Sequence, residues 1–495
     1  MSKITNYTKE LLNKKRQDRR DFSVSMISQI NSRNVPKLHI PRIPVRIHTF
    51  DAFRLANYRF MWLATVIFSS GFWLQQVVIG WLAYDVTRSP LLTSIILGLD
   101  ALPILLGGPL GGIVTDHFDK RKLLVFIYCY QAILLTIFAV VIATDQIATW
   151  HLFGFVFMMG VAWTIHDPAR MSLITSIVPK EKLVNAFALN SMAFSIMRLV
   201  MPALGGLLLS SIGTWPLLIL QACLVVSAGM TIQLVKLPAG KTNNTSPLKF
   251  RHVFSEIQIG LRFVKTQPTL IGFILLTVTM VIVIVPFVNG LMPVYAAEIF
   301  KMGPEGLGLL LSAAGLGSLI GTLILASQRT VSRPGVVAFA AIAILSLLMS
   351  LLSFNSSYIN ALLIVMLFSG TMMTYFSVAG ATVQILLPDN LRGRVTGIYM
   401  MAWGLIPVGG LIAGYIADTL GAQTATRIGS GLAICLLIAS FLLFRDLWHY
   451  KANLIKKPLM LKIASQAGHN AKPHNPSYSL PRIITTATTE AGADS

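Results

Sequence analysis

Long apolar runs separated by short polar breaks dominate the chain. They occupy 59–84, 93–115, 122–143, 149–170, 186–211, 214–236, 268–297, 305–327, 335–354, 358–387, 394–417 and 424–444. A helix needs about 20 mostly apolar residues to cross the hydrocarbon of a bilayer. The pattern therefore predicts an all-α membrane protein with twelve transmembrane helices. The runs are continuous and do not alternate in ten-residue segments, which excludes barrel strands.

Charge gives an independent reading of the same count, because basic residues concentrate in cytoplasmic loops. With the N-terminus inside, only Arg88, Lys301 and Arg427 of the 40 Lys and Arg residues fall outside, and Arg198 lies mid-span. The outer loops carry the acids Asp85, Asp145, Glu298, Glu305 and Asp418 instead. One missed or invented span would scramble this alternation, so both termini are expected on the cytoplasmic side of the membrane.

The chain is 54% hydrophobic and only 12% charged, against roughly 25% charged in a soluble domain. Its net charge of +21 is spread along one membrane face with no aromatic-rich soluble module, which favours anionic lipid over nucleic acid as partner. Cys129, Cys223 and Cys435 all fall inside predicted spans, so no disulfide framework or thiolate metal site is expected. Residues 1–58, with 12 bases against four acids, read as a basic cytoplasmic tail. A second cytoplasmic tail, 445–495, ends in ITTATTEAGADS, which has little to bury.

The longest internal loop, 237–267, divides the chain into two six-helix bundles, 59–236 and 268–444. Within that linker Val253, Phe254, Ile257, Leu261 and Val264 recur at helical spacing and predict an amphipathic helix on the membrane surface. The halves echo one another. Pro179 in SIVPKEKLVNAF precedes Gly205 by 26 residues, and Pro388 in ILLPDNLRGRVT precedes Gly414 by 26. Paired six-span halves suit alternating access around a central site.

The stretch GGIVTDHFDKRK at 111–122 resembles the loop between spans two and three of the major facilitator superfamily: Gly112, then Asp116, then the bases from Lys120. The usual pattern has a base after the aspartate and a glycine three residues after it; His117 and Asp119 stand there instead. WLAYDVTRSP at 81–90, DPARMSLITSIVPKEKLVNAFALNS at 167–191 and LPDNLRGRVTGIYM at 387–400 are similar to the bacterial efflux branch that includes siderophore and macrolide exporters. The resemblance covers about residues 50–445 and implies the major facilitator fold. It also implies an inner gate formed by Gly112, Asp116, Lys120 and Arg121, with Arg392 and Arg394 as candidate counterparts in the second half. A topogenic basic cluster is the competing explanation for these bases. Pro202, Gly205 and Gly206 resemble the tail of the antiporter signature, although Met197 and Met201 stand where it carries glycines. A proline kink eased by close packing explains the same residues.

Only Asp100 and Arg198 place a formal charge well inside a span. Even the lenient insertion scale sets the cost of a central charge at about 2.5–3.5 kcal/mol, so neither is expected to face lipid. They would form an ion pair that fixes packing, or Asp100 would carry a proton while Arg198 holds an anionic group. Gln75 and Gln76 lie at similar depth and serve either interhelical hydrogen bonding or ligand contact. By the resemblance, Asn289 and Tyr375 line a cavity, and Trp73 and Trp163 are candidates for an aromatic floor. His166 and Asp167 are too few for a metal site, and none is expected.

These readings point to a secondary transporter exporting an amphiphilic small molecule by proton antiport. It would use no cofactor beyond the proton gradient and act as a monomer. An importer or a lysolipid flippase of the same fold is the main alternative. No GxxxxGK[ST] loop is present for direct use of ATP, and no converging nucleophile and base suggest an enzyme.

Overall fold

A computed structural model describes residues 50–237, 259–328, 331–388, 391–444 and 447–448. Among these, eleven helices are long and apolar enough to cross a membrane. They are α1 (Ala56–Thr87), α3 (Lys120–Ala143), α4 (Thr149–Ile177), α5 (Leu183–Ile212), α6 (Thr214–Gln233), α7 (Pro268–Ile299), α8 (Pro304–Ser327), α9 (Pro334–Phe354), α10 (Tyr358–Leu386), α11 (392–420) and α12 (Ala422–Leu443). Most ends fall within a few residues of the hydropathy boundaries. Helix α4 runs seven residues past its expected end at 170, because Asp167 and Arg170 lower the hydropathy without breaking the backbone.

The run expected at 93–115 departs from a simple span. It is a broken helix, α2 (90–117), made of Pro90–Gly98, a tight 3₁₀ turn Leu99–Ala101 and Leu102–His117. Helix α11 is interrupted in the same way by Ala402–Leu405, between Arg392–Met401 and Ile406–Leu420. Helix α7 widens into π-type turns at Met280–Ile284, Pro286–Gly290 and Tyr295–Ile299. Such turns leave backbone groups shifted from their usual partners and often mark functional sites.

Buried apolar side chains sort into two clusters. One draws on residues between Ala52 and Val235, the other on residues between Val264 and Leu447 together with Tyr84 from α1. Val264 is the buried member of the expected amphipathic helix; its 253–257 portion, the tails 1–49 and 449–495, and linker residues 238–258 lie outside the described residues.

Two helix pairs join the clusters, and small residues make both possible. A Cβ at Gly410 or Gly414 of α11 would stand 2.7 Å from the backbone of α2 at Ser94 or Leu91. Between α5 and α8, Cβ atoms at Gly308 and Gly315 would stand 2.4 Å and 2.5 Å from the carbonyl oxygens of Pro202 and Arg198. Pro202 has no N–H to donate to the Arg198 carbonyl one turn back. That carbonyl meets the glycine face of α8 instead, and the Ala203 N–H donates to Ser312 Oγ at 2.9 Å. The Pro202, Gly205 and Gly206 motif therefore builds a seam: Gly206 packs on Glu305 and Gly308, and Gly205 on Leu74 of α1.

Helix ends follow local rules. Ser89 caps α2 by accepting from Leu92 N–H, and Asp119 caps α3 by accepting from Lys122 N–H at 2.9 Å. Asp119 thus has a structural task where the usual loop pattern carries glycine. Gly213 and Gly421 end α5 and α11 with φ of 79° and 85°, a conformation that costs glycine little.

Candidate functional site

Between the two clusters lies a central cavity of about 270 Å³. Trp73 and Gln76 of α1, Asp100 of α2, Arg198 of α5 and Asn289 of α7 line it. The structure thus brings together four of the six residues expected to serve substrate or proton. Asp100 sits in the 3₁₀ turn of α2, and Gly160 of α4 braces that turn: a Cβ there would stand 2.4 Å from the Asp100 carbonyl oxygen. Arg198 and Asp100 border the same space without forming an ion pair. The Arg198 guanidinium instead lies 5.1 Å from the centre of the Trp73 ring, a cation–π contact.

A side pocket of about 210 Å³ opens beside the central cavity, lined mainly by the first half and closed by Trp403 and Ile406 of α11. Gln75 is among its lining residues and accepts a hydrogen bond from Gln221 Nε2 at 2.6 Å. Gln131 and Gln221 are fully buried, and each has an amide oxygen with no protein partner. Both were missed in the sequence because a lone glutamine within a span, in α3 or α6, carries no charge and no spacing signal. Trp163 stacks on Phe72 at 4.6 Å along the pocket wall. Phe72, Gln76, Leu97, Asp100 and Ile406 border both spaces, so pocket and cavity adjoin.

Tyr375 stands apart from both. It is fully buried in the second cluster, with its hydroxyl 2.9 Å from Thr277 Oγ1. His166 and Asp167 point to different partners. His166 is buried against Phe68 at 4.0 Å with Tyr128 OH at 3.2 Å, while Asp167 accepts from Arg170 at 2.6 Å. Among the described residues no three His, Cys, Asp or Glu side chains gather as metal ligands.

At the expected inner gate, Lys120 donates to Ser176 Oγ at 3.0 Å and Arg121 to the Val235 carbonyl at 3.1 Å, both within the first half. Gly112 and Asp116 lie in the last turns of α2, and Arg392 and Arg394 at the start of α11, but their side chains lie outside the described residues. At the gate end the start of α11 packs on the last part of α2, and at the opposite end two side-chain hydrogen bonds cross the halves. Tyr84 OH donates to Glu298 Oε1 at 2.6 Å, and Ser89 Oγ donates to Asp418 Oδ1 at 2.7 Å. Nearer the cavity Ser94 Oγ donates to the Gly290 carbonyl at 3.2 Å. The sequence offered only a faint signal for this seal: Tyr84 and Ser89 fall in WLAYDVTRSP, and the two acids stand out only as outer-loop charges.

Residues 47–460 match the model of the transmembrane secretion effector family. Macrolide efflux protein A of Streptococcus pyogenes is 23% identical over 370 residues, covering 74% of this chain and 90% of that protein. The multidrug efflux pump Tap of Mycolicibacterium fortuitum is 24% identical over 389 residues, 77% and 94% of the two chains. Among solved structures, a POT family transporter in complex with 5-aminolevulinic acid aligns with TM-score 0.65 at 10% identity, covering 79% of this chain and 97% of that one. That likeness speaks to the fold. With the family model spanning most of its length, this multi-pass membrane protein belongs to the transmembrane secretion effector family of the major facilitator superfamily, and is a transporter, not an enzyme.

Proposed function

We propose that the chain exports an amphiphilic small molecule by alternating access, driven by proton antiport and needing no other cofactor. The observation that carries this reading is the central cavity, lined from both halves, which holds an acid, Asp100, and a base, Arg198, that form no ion pair with each other and stand on two different helices of the first half, α2 and α5, each packed against the second half. In that reading α2 completes a set of twelve spans in two six-helix bundles, with both tails in the cytoplasm of a bacterial cell. Tyr84, Ser89, Glu298 and Asp418 then seal the outer side, and the cavity exchanges with the inner side when the gate at 111–122 parts. A rigid-body rocking of one half on the other needs interfaces that slide or hinge. Close glycine contacts along α2–α11 and α5–α8 supply such surfaces. The relatives named for macrolide and multidrug efflux favour an amphiphilic cargo. The protein works as a monomer among lipids that are anionic on the cytoplasmic face.

The test is proton flux in proteoliposomes under an imposed pH gradient, with siderophores, macrolides and lysolipids supplied in turn. Wild type is expected to move protons only when a transported ligand is present, and Asp100→Asn to abolish that movement. Coupled flux that survives Asp100→Asn removes Asp100 from the proton path. Uptake of ligand along the proton gradient would instead establish an importer.

A further inference from the structure

The side pocket and the central cavity differ in the charge they present. Among the described residues Asp100 is the single ionisable one lining the side pocket, and Arg198 does not reach it. Around that carboxylate stand the aromatic faces of Phe68, Phe72 and Trp163 and the amides of Gln131 and Gln221. Gln131 and Gln221 keep 3% and 1% of their surface exposed, and each leaves an amide oxygen without a partner. A buried polar atom left unpaired costs about 1–3 kcal/mol. A pocket that keeps two of them beside an acid with no ion-pair partner is shaped for a guest that donates hydrogen bonds or carries positive charge. Aromatic faces attract the same guest, because a ring presents its negative quadrupole to a cation.

We propose that the side pocket is a head-group subsite for a protonated or quaternary amine. The rest of the ligand extends past Asp100 into the central cavity. Neither space alone reaches the range of about 300–1,000 Å³ that encloses a drug-sized ligand, but the two adjoining spaces together do. Arg198 borders only the central cavity, so the ligand carries no second positive charge there and presents an acceptor-rich or anionic portion to the guanidinium. The inference names the cargo class for the transporter reading above and rests on it; as a binding site it is tested separately.

The test uses the purified full-length protein and three probes on one biphenylmethyl scaffold, ending in trimethylammonium, tert-butyl or sulfonate. Trp163 and Trp403 line the pocket, so tryptophan fluorescence reports binding and thermal shift provides a second readout. The ammonium probe is expected to bind about tenfold or more tighter than either other probe. Asp100→Asn erases that preference, Gln131→Leu weakens ammonium binding, and Gln131→Glu, which adds an acid to the pocket, strengthens it. Equal or tighter binding of the tert-butyl or sulfonate probe to wild type overturns the proposal, whatever the variants do. So does ammonium affinity that follows Arg198→Ala and ignores both Gln131 variants, because the cation then sits in the central cavity. Preferred ammonium binding without any transport would retain the subsite and remove the exporter. Proton-coupled transport without ammonium preference would do the reverse.

Discussion

Gly160 has no side chain, and the backbone of Asp100 occupies the place where one would be. A methyl group there would approach the Asp100 Cα to 2.9 Å and its carbonyl oxygen to 2.4 Å. Backbone cannot rotate aside as a flexible side chain can, and overpacking of this kind costs about 1–3 kcal/mol. Gly160→Ala is therefore expected to lower the melting temperature by a few degrees and to displace the turn that aims the Asp100 carboxylate at both spaces. Coupled proton movement would fall with it, whereas an Ala at Gly154, where no atom lies within 4 Å, should be silent in both assays. Asp100 and Arg198 stood out in the sequence because charges inside apolar runs are rare. Gln131, Gln221 and Gly160 did not, because their importance comes only from what lies across the gap from them.

Helix pairs show the same division. The α5–α8 contact depends on Gly308 and Gly315 opposite the Pro202 and Arg198 carbonyls. Gly308→Ala should separate the helices and loosen both the seam and the Arg198 wall of the cavity. Loss of thermal stability together with weaker ligand binding is the expected pair of readings, and an unchanged protein would show that the seam yields at no cost. The proline motif was readable along α5, but its partner glycines on α8 had no apparent bearing on it until the fold brought them together. Hydropathy located α1 and α3 to α12 to within a few residues, apart from the inner end of α4, since span length is set by the bilayer. The breaks in α2 and α11 escaped it, because a 3₁₀ turn and an α-turn of equally apolar residues have the same hydropathy. Those breaks lie close to each other: a Cβ at Gly98 would stand 3.1 Å from Pro407 Cα, and one at Gly404 would stand 2.3 Å from Leu105 Cβ.

For the molecule as a whole, the alternating-access proposal gives the outer contacts between halves the task of setting which state is populated. A hydrogen bond to a charged group is worth about 1.5–3 kcal/mol, so losing the part-buried Tyr84–Glu298 bond should shift the balance about tenfold or more toward opening at that end, and losing the exposed Ser89–Asp418 bond should shift it less. The variants Tyr84→Phe and Ser89→Ala, each carrying a cysteine at Gln76, are expected to label faster with a membrane-impermeant maleimide applied from outside. Unchanged labelling in the double variant would mean that the seal is held elsewhere. Orientation has its own test on a background with Cys129, Cys223 and Cys435 replaced by serine. Asn355→Cys should label in intact cells and Ser332→Cys only after lysis, and the opposite pattern would invert the topology.

The sequence alone was enough to establish a polytopic helical transporter, because the cost of putting polar backbone and charge into hydrocarbon shapes every span and every loop. It also singled out the two buried charges and, through the loop motifs, the superfamily. Tertiary structure decided what those charges face. Whether Asp100 pairs with Arg198, whether Gln75 meets Gln221, and which side chains join the two halves all depend on distances between helices far apart in the chain. Apolar packing brings those helices together, and hydropathy along a single helix contains no record of the neighbour it will meet.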